Sequence, residues 1–283
     1  MAAVTLTLVI VFAGGVYLRG WVHRRSIPAW RACSFLLGLL ATWVAVVSPV
    51  ASLDSHMLTA HMIQHLLLMT IAPPLIWLGE PLIVAGPARW PLPKRLVPFQ
   101  LPSPNPTKAP HPPSTRRSSV ERVGTALGNL LGHPAFCWFA AAAALVAWHV
   151  PAIFRLGMQS STWHLIEQGS FFTTGLLFWW PVIQPWPSVA LWPRSSMLLY
   201  LFAATLPCDV LSGLLVFSDR VAYPIYLCTP RQAGLSPLED QQCAAALMWT
   251  CVTVVTCPGI RTLSAGTILS MQILSPRKEA VSI

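Results

Sequence analysis

Long apolar runs separated by short polar connections dominate the chain from its first residues. Seven of them approach the roughly 20 apolar residues that cross a bilayer as a helix: Ala2–Leu18, Ala32–Val50, Met57–Leu78, Pro134–Phe154, Trp163–Ile183, Ser196–Phe217 and Gln241–Ile260. The predicted fold class is therefore an all-α membrane protein, a single domain (1–283) built as a bundle of seven transmembrane helices. In the first run the charges (Arg19, His23, Arg24, Arg25) follow the apolar stretch. A cleavable signal has the reverse order, so this run reads as a retained helix. Pro258 and Arg261 are expected to end the seventh span early, and 262–275 is too short and mixed for an eighth.

Charge sets the orientation. With the N-terminus outside, fifteen basic residues fall in inner segments: Arg19, Arg24, Arg25, Arg31, Arg89, Lys94, Arg95, Lys108, Arg116, Arg117, Arg122, Arg194, Arg261, Arg277 and Lys278. Only Arg155, Arg220 and Arg231 fall outside. Positive charge stays on the cytoplasmic side, so the expected arrangement is N-terminus outside and C-terminus cytoplasmic.

Composition agrees with a membrane class. The chain is 54% hydrophobic and 10% charged, with mean hydropathy +0.60, against about 25% charged residues in soluble domains. Its thirteen Trp suit the interfacial belts of a membrane protein. The net charge of +9 comes from the inner loops, so it argues for a lipid bilayer as partner and against nucleic acid. Seven scattered cysteines form no CxxC pair, which removes zinc-ribbon, thioredoxin and c-type haem motifs. Most sit in apolar runs as small buried side chains; Cys228 and Cys243 lie near the outer face, where a disulfide is open to them. The break Glu80–His133 holds eleven of the 27 prolines and seven basic residues. Such sequence buries no core and reads as a Pro-rich basic cytoplasmic loop (80–133), disordered or extended.

Against this apolar background, the polar positions inside the spans stand out because each is costly there, about 2.5–3.5 kcal/mol for a charge at a helix centre. In the third span His61, Gln64 and His65 recur at i, i+3, i+4 and share one helical face. His65 stands about 12 Å below Met57 at 1.5 Å per residue, within the outer leaflet. The fifth span repeats the device with His164, Glu167 and Gln168. The fourth brings His149 to the outer surface just before Pro151, and the sixth carries Asp209 two residues after Pro207, a proline expected to kink the helix and free carbonyls. The seventh opens with Asp240, Gln241 and Gln242. Met57, Met62, Met69 and Cys243 add soft sulfur nearby. Neutral imidazole suits copper, zinc and iron, and thioether favours Cu(I), so an outward-opening pocket of this kind points to a transition metal, copper ahead of zinc. The predicted metal ligands are His61, His65, His149 and His164. Gln64, Glu167, Asp209, Asp240 and Gln241 are the predicted partners that orient them.

The strings "TAHMIQHLLLMTIAPPLIWLG" (Thr59–Gly79), "WHVPAIF", "HLIEQGSFFTTGLLFWWPV" and "YPIYLCTP…LSPLEDQQCAAALMW" occur in order between about residues 30 and 250. Together they resemble the CtaG-type integral membrane proteins required for assembling caa(3)-type cytochrome c oxidases. The resemblance implies a seven-helix, multi-pass protein of the bacterial cytoplasmic (inner) membrane that acts in maturation of a respiratory-chain oxidase, around its copper centres, with oxidase subunits as partners. It places the family's third-helix histidine motif on His61, Gln64 and His65, its "WH-P" on Trp148, His149 and Pro151, and its "DQ" on Asp240, Gln241 and Gln242. Two departures are visible. The family's fifth-helix motif reads His-x-x-Glu-His, and here Gln168 replaces the last histidine; either that position does not touch metal, or metal is held less tightly. After Trp249 the chain reads "TCVTVVTCPGIRTLSAG" where the family continues as a longer, smoother apolar helix.

The leading expectation is an assembly factor, not an enzyme, that holds or delivers copper. The alternatives are a non-covalent haem-binding electron carrier with His65 and His149 as axial ligands, or a structural membrane scaffold without metal. An ion transporter relaying through Asp209 and Glu167 would need polar groups at all depths, and the inner halves of the spans are almost purely apolar. No GxSxG, HExxH or P-loop string occurs.

Overall fold

The computed structural model describes residues 2–24, 27–85, 131–185, 192–228 and 234–274, and among them every regular element is helical. The chain runs through α1 (Ala2–His23), α2 (Ala29–Val47), a single turn α3 (Pro49–Ser52), α4 (Leu58–Leu66), a π-helical segment (Leu67–Ile71), α5 (Ala72–Leu78) and α6 (Pro81–Ala85). It resumes with α7 (Pro134–His149), α8 (Pro151–Gln159), α9 (Ser161–Ile183), α10 (Arg194–Val216), a 3-10 turn (Pro224–Cys228) and α11 (Pro237–Leu274). Most of the Pro-rich segment, 86–130, lies outside the described residues; its first turn, α6, is helical and buries Ile83 and Val84 against Tyr17 of α1.

Among the described residues, four stretches are long and apolar enough to cross a membrane: Ala3–His23, Ala29–Val47, Leu58–Leu78 and Ser195–Val216. Pro134–His149 with Pro151–Gln159 makes a fifth if the bent pair is one span. The expected fourth span, Pro134–Phe154, is thus corrected: the chain turns by 79° between α7 and α8. Proline disfavours a helical conformation in the residue before it, and Val150 is accordingly extended (φ −66°, ψ 123°) ahead of Pro151. The fifth and seventh predicted spans are long helices, α9 and α11, which are not among the candidate spans found within the described residues. A second correction concerns α11, which passes Pro258 and Arg261 without stopping and reaches Leu274.

Outward faces are apolar, as lipid contact requires. Phe12 on α1, Leu199 and Leu214 on α10 and Val254 on α11 are 73%, 67%, 66% and 67% exposed. No aqueous hydrophobic effect draws helices together in lipid, so close packing of small residues matters. Gly38 lets α2 approach α5, where an added Cβ would lie 2.9 Å from the Ile76 nitrogen. Gly175 does the same for α9 against the π-helical segment, where a Cβ would meet Met69 O at 2.8 Å.

The π-helical segment has a local cause. Pro73 and Pro74 carry no N–H, so the carbonyls of Met69 and Thr70, four residues earlier, lose their α-helical partners. Such a break is tolerated inside a membrane only if other groups take the freed carbonyls. Trp179 Nε1 donates to Met69 O at 3.2 Å. This join fixes the π-helical segment, which continues α4, against α9, and α4 and α9 carry most of the polar side chains.

Candidate metal centre

His61 and His65 sit one turn apart on α4, and His164 and Glu167 one turn apart on α9. The two helices face each other, so the four side chains meet. Glu167 Oε1 lies 3.4 Å from His61 Nε2 and 3.5 Å from His65 Nε2, while its Oε2 lies 3.6 Å from His164 Nδ1. The His61 and His65 rings stand 4.2 Å apart between centroids, and those of His61 and His164 5.7 Å. His61 is 0% and Glu167 1% exposed.

None of the ring nitrogens of His61 and His65, nor either oxygen of Glu167, has a hydrogen-bond partner. Leaving a buried polar group unsatisfied costs about 1–3 kcal/mol, more if it is charged, so this is an expensive arrangement without a ligand. The spacing says which ligand suits it. Donors bound at about 2.0–2.1 Å to one tetrahedral ion stand roughly 3.3–3.4 Å apart, close to the 3.4 and 3.5 Å from Glu167 Oε1 to the two imidazoles. The side chains present therefore fit a transition-metal ion.

A carboxylate that the span-by-span reading overlooked completes a second group. Asp54, in the connection before α4, places Oδ2 3.0 Å from His164 Nε2. Two sets of potential ligands result, Asp54–His61–His164 and His61–His65–Glu167, each with its atoms within 4.8 Å of one another and sharing His61. The first is half-buried and the second fully buried. Burial works against ionisation of Asp54, but the hydrogen bond and charge of His164 outweigh it and hold the carboxyl below its ordinary range. Asp54 was detectable only as an acid seven residues ahead of His61, outside any span.

The remaining predicted residues divide by what they touch. Asp240, on the first turn of α11, accepts from Leu58 N at 2.6 Å, Thr59 N at 3.2 Å and Thr59 Oγ1 at 2.6 Å. It satisfies the open N-terminus of α4 from a distant helix and so positions His61 and His65 without contacting them. Gln241 accepts from Ala222 N at 2.7 Å and donates to Leu215 O and Arg220 O, both at 3.2 Å, tying down the chain that leaves α10. Gln64 is fully buried and both its amide atoms lack partners. Asp209 is half-buried on α10, within a helix that continues through Pro207, and belongs to neither ligand group. His149 ends α7; its Nδ1 lies 2.7 Å from Leu145 O and its carbonyl accepts from Tyr223 Oη at 3.0 Å. Gln168 lies against His164, its amide nitrogen 2.6 Å from Nε2. Met62 and Met69 border a cavity beside His65, whereas Cys243 is exposed and Cys228 and Cys243 are both free thiols.

Two supports were invisible in the sequence. Gly157 of α8 gives the Glu167 carboxylate its space, since a Cβ there would lie 2.7 Å from Oε2. The 3-10 turn covers the site: Tyr226 Oη donates to Asp54 O at 2.8 Å, and Phe154 stands between the Tyr223 ring (4.2 Å) and His61 (5.0 Å).

A model of the cytochrome c oxidase caa3 assembly factor family (Caa3_CtaG) matches residues 15–267, nearly the whole chain. The chain belongs to that family. Its Caa3_CtaG membership agrees with the resemblance seen in the ordered strings, and with apolar helices that mark a membrane protein. The match spans α4, α7, α9, α10 and most of α11, so every side chain of the two ligand groups lies within the Caa3_CtaG region. No curated protein and no solved structure matches the chain.

Proposed function

We propose that this Caa3_CtaG protein holds a copper ion near the outer face of the bacterial cytoplasmic membrane and passes it to a cytochrome c oxidase subunit during maturation. In this reading α9 and α11 also cross the bilayer, giving seven spans with the N-terminus outside, and the protein is a carrier rather than an enzyme. Copper is its cargo. The observation that supports it is the buried, unpartnered His61–His65–Glu167 group, whose donor spacing suits one ion. The half-buried Asp54 and His164, which share His61 with it, form the outer side of the same site. An ion held there by carboxylates and imidazoles can be exchanged one ligand at a time through His61, without ever being released bare into lipid.

A haem between His65 and His149 finds little support. The cavity that both line is about 80 Å³, far below the ~300–1,000 Å³ of pockets for larger organic ligands. The test is copper content after purification in detergent, wild type against His61→Ala/His65→Ala, together with capture of oxidase subunits. Less copper in the double variant than in the wild type, with a subunit retained by the wild type, is the expected result. Equal copper in both proteins would reduce the site to a packing network and leave a metal-free scaffold.

A further inference from the structure

Beneath the His–Glu group the bundle encloses a second space. This cavity of about 80 Å³ is lined by His65 and His149 and by the sulfur-bearing Met62, Met69, Cys208 and Met248. It differs from the first site in its chemistry, since no carboxylate borders it.

His149 is prepared for a ligand there. Its Nδ1 faces Leu145 O at 2.7 Å, and a carbonyl oxygen only accepts, so Nδ1 carries the hydrogen. In the neutral ring this leaves the lone pair on Nε2. That nitrogen is buried and has no hydrogen-bond partner, in a residue only 7% exposed. An imidazole oriented by a backbone carbonyl through its other nitrogen is the usual arrangement of a metal-binding histidine. The helix break at Val150 contributes as well, because it ends α7 at His149 and frees a carbonyl that Tyr223 Oη then holds.

Thioethers are soft donors that select Cu(I), whereas carboxylates suit harder ions. Cys208 is engaged otherwise, its thiol directed to Met248 O at 3.8 Å, so the methionines are the available sulfur. We propose that this cavity is a second metal site, selective for Cu(I), with His149 Nε2 as its nitrogen ligand and the thioethers of Met62 and Met69 as its sulfur ligands. His65 links it to the first site: its ring lines the cavity and its Nε2 lies 3.5 Å from Glu167 Oε1. The proposal rests on the reading that the protein handles copper, but on different side chains.

The experiment is anaerobic titration of the purified full-length protein with Cu(I) against a chromophoric chelator. It compares wild type, His149→Gln, and Met62→Leu/Met69→Leu, a swap that nearly conserves volume. Zn(II) binding, which needs only the imidazole–carboxylate group, is measured in parallel on each. Both variants should lose at least about tenfold in Cu(I) affinity, the lower end of what disturbing a metal site costs, while Zn(II) binding stays at the wild-type level. Unchanged Cu(I) affinity in both variants, as for a cavity that holds only water, would overturn the second site and leave the first standing. Loss of Zn(II) together with Cu(I) would overturn it too, by showing a single site. Failure of the first reading looks different: His61→Ala/His65→Ala would keep its full complement of metal.

Discussion

Replacing Asp240 by alanine separates positioning from ligation. The carboxylate accepts from two backbone N–H groups and one hydroxyl at the start of α4 and is 6% exposed. Removing a capping side chain costs about 0.5–2 kcal/mol. Here the acceptor is ionised and buried, and hydrogen bonds to charged groups contribute about 1.5–3 kcal/mol. Allowing for non-additivity within one network, Asp240→Ala should destabilise the fold by about 2–4 kcal/mol. Asp240→Asn keeps one oxygen acceptor and should cost roughly half as much. Denaturant unfolding in detergent, followed by far-UV circular dichroism, measures the loss. Copper per folded molecule should stay at the wild-type value, because Asp240 touches helix α4 and not the imidazoles. Wild-type stability combined with lost copper would refute this reasoning and return Asp240 to the metal site.

Gly157→Ala places a methyl 2.7 Å from Glu167 Oε2; metal affinity should fall about tenfold, read by competition with a chelator. Gly175→Ala drives a methyl into Met69 O and Met69 Cα at 2.8 and 2.9 Å, and since backbone cannot yield as a side chain does, unfolding should shift by about 1–3 kcal/mol. Gln168→His supplies the histidine of the His-x-x-Glu-His pattern beside His164, where the glutamine amide now lies 2.6 Å away. It should tighten metal binding, measured in the same competition assay.

The sequence disclosed the helical class and the paired faces because periodicity is local: His61 with His65, and His164 with Glu167, share a face whatever the tertiary arrangement. It could not disclose which helices meet. Asp240 looked like a partner for imidazole because both lie near one end of the bundle, yet its oxygens reach the backbone of Leu58 and Thr59. Asp54 escaped notice because it lies between spans, and its contact with His164 is made across more than a hundred residues of chain. The bend at Val150 was legible in principle, since Pro151 restricts the residue before it, but apolar length alone drew the span through to Phe154. Pro258 misled in the opposite direction. A proline removes one hydrogen bond and often kinks a helix, yet α11 continues to Leu274.

The most direct measurement is the copper retained by Glu167→Gln after dialysis of detergent-purified protein against a chelator. Glutamine preserves the shape of a side chain that is 1% exposed while removing the charge that faces three imidazoles. The account predicts that Glu167→Gln still folds but retains less copper than the wild type, having lost the ion of the His–Glu group. Equal retention by both proteins would contradict it.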